Sequence, residues 1–217
     1  MKAACPGTGI EVDLVYRATS GEYKSAQRYG DDGSALLCNN NCRKNDYDED
    51  SLQARVQYRP SEDSSLGGFV GYTRRDYDQG NRHFRGLTAG FDTEWAVSGA
   101  VQMRASLGRS IEPDDDAVTG SYADTWSLNF SPTIQATGKI TVEPYLRLYD
   151  RRYKGDQLAA GQVERKDKIY MVGAEADYEF RRNMFLMASI SREQRDSNRA
   201  NLDYKANVFG LGLKVQF

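Results

Sequence analysis

The last fourteen residues, 204–217, read YKANVFGLGLKVQF and alternate without a break. Phe209, Leu211, Leu213, Val215 and Phe217 fall on one parity, and Val208, Gly210, Gly212, Lys214 and Gln216 on the other. A strand sends successive side chains to opposite faces, so this segment has one large apolar face and one small or polar face. A soluble domain seldom leaves five large apolar side chains in an uncovered row. A strand with lipid on one side and a polar lumen on the other does so. The pattern recurs along the chain and predicts an all-β fold: a transmembrane antiparallel up-and-down β-barrel of about ten strands. The five apolar residues of the last strand are also the expected C-terminal signal for barrel-assembly machinery.

The 217 residues suit one domain, read as a tail over 1–8 and a barrel over 9–217. No run of about 18 apolar residues occurs, so no helix is expected to span a bilayer. Low overall hydropathy does not argue against a barrel, because only alternate residues of each strand need be apolar. The net charge of −2 suggests no nucleic-acid partner. No signal peptide is visible before Ala3-Ala4-Cys5, so the chain reads as a mature or re-cloned form. That triplet has the shape of a lipoprotein cleavage site, but Lys2 stands where an apolar residue is expected.

Alternation predicts strands at 9–19, 52–59, 66–77, 82–95, 100–111, 122–134, 140–149, 168–180, 184–192 and 204–217. The third is ambiguous, because Phe69 opposes Leu66, Val70 and Tyr72; in the seventh, Pro144 lacks the N–H of a central strand and predicts a bulge. The connections alternate between long polar loops and turns of a few residues, with only the loop at 78–81 as short as the turns. This is the pattern of bacterial outer-membrane barrels, with short periplasmic turns, and an even strand count puts both termini in the periplasm. Tyr16, Tyr58, Trp95, Trp126, Tyr178 and Phe217 fall near strand ends as candidate interfacial girdles. The competing reading is a soluble β-barrel or sandwich; the Gly, Ser, Thr and mixed charges of the non-apolar faces count against it.

Three segments carry a family resemblance: LRLYDRRYKGD (146–156), YMVGAEADYEFRRNMFLMASISREQRDSN (170–198) and DYKANVFGLGLKVQF (203–217). Through them the chain resembles the putative β-barrel porin 2 group, and within it the EpsL-type barrels encoded with exopolysaccharide operons. The members are usually larger than this chain. The resemblance implies outer-membrane residence and a role in passing polysaccharide or helping its export, with polysaccharide-export components as partners. It implies no catalytic residue and no cofactor.

The residues expected to line the lumen are Arg17, Arg55, Arg59, Arg104, Glu143, Arg147, Glu175, Asp177 and Lys214, with Glu11, Asp92 and Glu94 beside them. Ten strands lie near the size at which side chains fill a barrel, so a network of ion pairs competes with a narrow charged pore. Lipid and lipopolysaccharide are the expected surroundings. Tyr/Arg/Asp clusters at 74–78, 149–153 and 192–199 either bind sugar or lipopolysaccharide or form solvated rim networks. A hydrolase would have to use His83 with Asp76 and Asp78 at the rim, and the plain reading is a lone rim histidine. Cys38 and Cys42 lie in an outer loop of an oxidising compartment and predict a local disulfide rather than a metal site.

Overall fold

The computed structural model describes residues 9–22, 46–77, 83–113, 122–154 and 163–215, together with the backbone of 2–4, 28–29 and 35–36. Cys38, Cys42, Asp78, Phe217 and the expected tail residues around Cys5 lie outside the described residues. Among the described residues there are ten long strands: β1 (Ile10–Gly21), β2 (Tyr47–Ser61), β3 (Ser64–Tyr77), β4 (His83–Ser98), β5 (Val101–Pro113), β6 (Tyr122–Thr137), β7 (Ile140–Lys154), β8 (Lys166–Arg181), β9 (Met184–Ser197) and β10 (Tyr204–Val215). Each pairs antiparallel with its sequence neighbours in a single up-and-down sheet, as the alternation predicts. The backbone of 2–4 pairs with 11–13 on the outer edge of β1. Among the described residues β1 and β10 do not pair with each other.

Four two-residue turns join β2 to β3, β4 to β5, β6 to β7 and β8 to β9. Each sits beside a register irregularity, at Tyr58/Ser61, Ala96/Ser98, Ile140/Thr141 and Glu179/Arg181. Asn183 closes the last of these turns with φ 62°, a left-handed conformation that Asn tolerates better than most residues. The longer connections all lie at the opposite end of the sheet.

Directly paired residues share a face, so the register sorts every side chain. One face carries Tyr16, Leu52, Tyr72 and Leu87 in one cross-strand row, and Leu107, Leu128, Leu148 and Tyr170 in another. On β8 the apolar band runs from Tyr170 through Val172, Ala174 and Ala176 to Tyr178. Nine residues make about 26 Å of strand, the length a tilted strand needs to cross hydrocarbon. The side chains are bare: Leu211 is 86% exposed, Phe209 75% and Leu213 64%. Leaving a large apolar side chain in water rather than burying it costs about 1.5–3 kcal/mol. A whole sheet face of them therefore calls for an apolar surrounding, as lipid provides. Most of the buried side chains, by contrast, lie on the other face toward the long-loop end, Phe84, Ala123, Thr125, Tyr153, Asp167 and Ile169 among them.

Three local expectations change. The ladders run further than the apolar pattern: β2 starts at Tyr47, β7 reaches Lys154 and β9 reaches Ser197. Beyond the apolar band lipid no longer demands an apolar residue at every second position, so charged stretches such as 48–50 and 150–154 continue a strand while looking like loop. The bulge expected at Pro144 is absent. The register is the same at Val142↔Ile134 and at Leu146↔Phe130, with a gap in the pairing between them, and it sets Pro144 opposite Pro132. Two missing donors coincide there, so the ladder is interrupted and the register is kept. On β3, Leu66, Val70 and Tyr72 take the apolar face and Phe69 the polar one. An added Cβ on Gly90 would come within 2.3 Å of the Phe69 ring, so the glycine leaves the ring its space against the wall.

Candidate functional site: the polar face of the sheet

Every described residue expected to line a lumen lies on the face opposite the apolar band. Arg17, Arg55, Arg59, Arg104, Glu143, Arg147, Glu175, Asp177 and Lys214 all alternate onto it, as do Glu11, Asp92 and Glu94. Neighbours compensate in places. Asp13 stands opposite Arg55. Glu94 stands opposite Arg104, with Nε to Oε1 at 3.5 Å, and takes a hydrogen bond from the Gln102 amide. A cavity of about 270 Å³ opens here, lined by Asp92, Glu94, Arg104, Asn129 and Ser131 among others. The Asp92 carboxylate reaches it by lying flat over Gly67, where a Cβ would be 2.5 Å from Oδ2.

On β7 and β8 the balance is acidic. Glu143 and Glu175 face each other directly, and Asp177 stands opposite Thr141. Glu143 accepts a hydrogen bond from Thr133 Oγ1 at 3.1 Å. Like charges this close in register repel unless water or cations lie between them. Further along β7 the polar face reads Tyr145, Arg147, Tyr149, Arg151, Tyr153. The Arg147 guanidinium lies 4.5 Å from the Tyr145 ring centre, and Arg151 5.7 Å from that of Tyr149. Arg165 lies 4.1 Å over Tyr153, and Arg195 on β9 lies 4.9 Å over Tyr204 on β10. Sequence reading saw the 149–153 cluster but stopped the strand at 149. Carrying the alternation four residues further would have found the whole ladder.

At the long-loop end, buried ion pairs tie the strands together. Asp167, 0% exposed, accepts from Arg165 Nη2 at 2.6 Å and Ser197 Oγ at 2.7 Å, with Arg195 Nε 3.9 Å away. Burial alone would raise its pKa. The hydrogen bonds from Arg165 and Ser197 and the two guanidinium charges outweigh this and hold the carboxyl below its usual range. Arg75, nearly buried against the Tyr47 ring, holds Glu49 on the neighbouring strand. Sequence reading missed both nodes, because 150–167 and 20–50 read as loops.

Asp76 and His83 are register partners on β3 and β4, but the His83 side chain lies outside the described residues and Asp76 is held by Arg74 at 2.6 Å. Among the described residues no group of His, Cys, Asp and Glu is placed to hold a metal ion.

Among solved structures, the chain is similar to a copper transporter, OprC, with TM-score 0.63 and 12% identity over 94% of this chain and 38% of that one. It is similar to the outer-membrane channel DcaP of Acinetobacter baumannii, with TM-score 0.59 and 13% identity over 97% and 64%. The alcaligin outer-membrane receptor FauA of Bordetella pertussis gives TM-score 0.55 and 13% identity over 93% and 42%. At these identities the likeness shows the fold alone, and this chain spans less than two thirds of each of those proteins. No curated protein matches by sequence. The family model of "Putative beta-barrel porin 2" matches residues 64–217, from β3 to the last residue. With the match covering well over half of its length, the chain belongs to the Putative beta-barrel porin 2 family.

Proposed function

We propose that this chain is wall of a porin-like channel in the bacterial outer membrane, with its polar face toward a water-filled lumen. One observation carries the reading: across ten paired strands, a bare apolar band backs a face of charges of both signs, glycine and small polar residues. Lipid tolerates no free sheet edge, so the outer edges of the sheet must be covered, by each other or by further strands. The likeness to proteins of which this chain spans 38–64% supports a barrel wider than ten strands, and hence an open lumen rather than a filled one.

Planar-bilayer recording of the refolded protein tests this. Ohmic steps are expected, with a cation preference that falls in Glu143→Gln/Glu175→Gln. A folded, heat-modifiable protein that gives no steps would sink the channel reading.

The finer proposal is polysaccharide as the cargo, in keeping with the exopolysaccharide-linked relatives that the sequence resembles. The Tyr145–Tyr153 ladder favours it, because aromatic faces stack on sugar rings and guanidinium groups pair with sugar acids. Oligosaccharides, acidic ones above all, are expected to interrupt the current in the parent protein and much less in Tyr149→Ala. Equal block in both would remove the ladder from the account.

A further inference from the structure

Resting on the membrane reading above, we propose a site on the lipid-facing side for a phosphorylated glycolipid of the outer leaflet, of the lipid A type. Three cross-strand rows over β5–β8 define it. The first row is apolar: Leu107, Leu128, Leu148 and Tyr170. The next, toward the long loops, is Arg109, Trp126, Asp150 and Lys168, and the third is Ile111, Asp124, Arg152 and Lys166. A groove of about 260 Å³ lies at the first boundary, walled by Leu107, Trp126, Leu128, Leu148 and Tyr170, with Asp150 and Lys168 at its mouth. It is apolar where hydrocarbon would reach and charged where headgroups begin.

The charges above it are predominantly positive. Arg109, Arg152, Lys154, Lys166 and Lys168 outnumber Asp124 and Asp150 on this face, and Arg192 and Asp196 on β9 offset each other. The two carboxylates are already engaged. Arg109 grips Asp124 through two hydrogen bonds of 2.8 Å, and Arg152 Nε lies 3.3 Å from Asp150 Oδ1. Lys166 and Lys168 remain exposed. Four strands span about 14 Å. A single phosphodiester would use one cation of such a belt, whereas a disaccharide with a phosphate at each end can use its whole width. An acyl chain in the groove, beside Trp126, would anchor that headgroup.

The test uses the full chain refolded in detergent, in a Trp95→Phe background so that Trp126 reports alone. Deep-rough lipopolysaccharide, the same glycolipid stripped of phosphate, and phosphatidylglycerol are titrated in turn. Saturable change with the phosphorylated glycolipid is expected, weakened about tenfold or more by phosphate removal and by Lys166→Glu/Lys168→Glu. Lys139→Glu, in a turn at the opposite end, should leave it unaltered. The milder Lys168→Gln, which should weaken binding less, is read alongside in case the double reversal does not refold. A response that is the same for phosphatidylglycerol, or indifferent to Lys166 and Lys168, overturns the site. Conductance on the same preparation separates the two proposals. Intact steps without glycolipid preference refute this site alone, and glycolipid binding without steps refutes the channel alone.

Discussion

Replacing Asp167 by Ala removes the carboxylate partner of Arg165, a guanidinium that has almost no contact with water. Asp167 is fully buried, and the Arg165 side chain is 7% exposed. Three hydrogen bonds from Arg165, at 2.6–3.1 Å, and one from Ser197 at 2.7 Å end on the two carboxylate oxygens. Leaving one member of a buried pair uncompensated costs about 3–5 kcal/mol. Asp167→Asn keeps the shape and part of the bonding, so its cost should be smaller, about 1.5–3 kcal/mol. Converting both partners, Arg165→Met with Asp167→Leu, leaves only the partly exposed Arg195 guanidinium, 3.9 Å away, without its carboxylate, so it should cost less than Asp167→Ala. Urea unfolding of the full protein in lipid vesicles reads all three. The pH dependence has a defined sign. The folded carboxyl titrates below its unfolded value of about 3.9, so its contribution is complete above that pH and is lost as pH falls through the lower folded value. The parent should lose stability below about pH 4 more steeply than Asp167→Asn does. A loss under about 1 kcal/mol in Asp167→Ala, with no difference in acid slope, would refute the buried-pair argument.

Other outcomes follow from the two faces and the loops. Leu211→Arg places a charge in the apolar band and should cost about 2–4 kcal/mol in vesicle unfolding, while Val208→Arg on the polar face of the same strand should cost far less. Gly173→Ala brings a Cβ to 2.6 Å from the Ile190 carbonyl oxygen and from the Tyr145 ring, so a loss of about 1–3 kcal/mol is expected, with Tyr145 displaced. Thiol counting under denaturing, non-reducing conditions should find one free thiol of three if Cys38 and Cys42 are joined; three free thiols would rule that disulfide out.

How much was legible in the sequence follows from where each signal comes from. Phe209, Leu211, Leu213 and Val215 announce their face because lipid demands large apolar side chains at every second position and nothing else. The same demand, repeated over ten strands, reveals the order of strands, the turns and the side of each charge, from Arg17 to Lys214. It fails where lipid ends. Residues 48–50 and 150–154 continue their ladders in water, and their composition there is that of a loop. It also fails where one strand's pattern depends on another's. Phe69 can stand among polar residues because Gly90, on the next strand, leaves room for its ring. Pro144 keeps its register because Pro132 stands opposite.

Alternation alone thus decided that this chain forms strands, that one face meets lipid and that the other collects charge. Tertiary structure decided what lies beside what: Glu143 against Glu175, Asp167 between Arg165 and Ser197, and a groove beneath Lys168. The division has a physical cause. Side-chain parity is a property of one strand's covalent geometry and is written in its own residues. Register and pairing arise between strands, from turn geometry and hydrogen-bond ladders that single-strand periodicity does not encode.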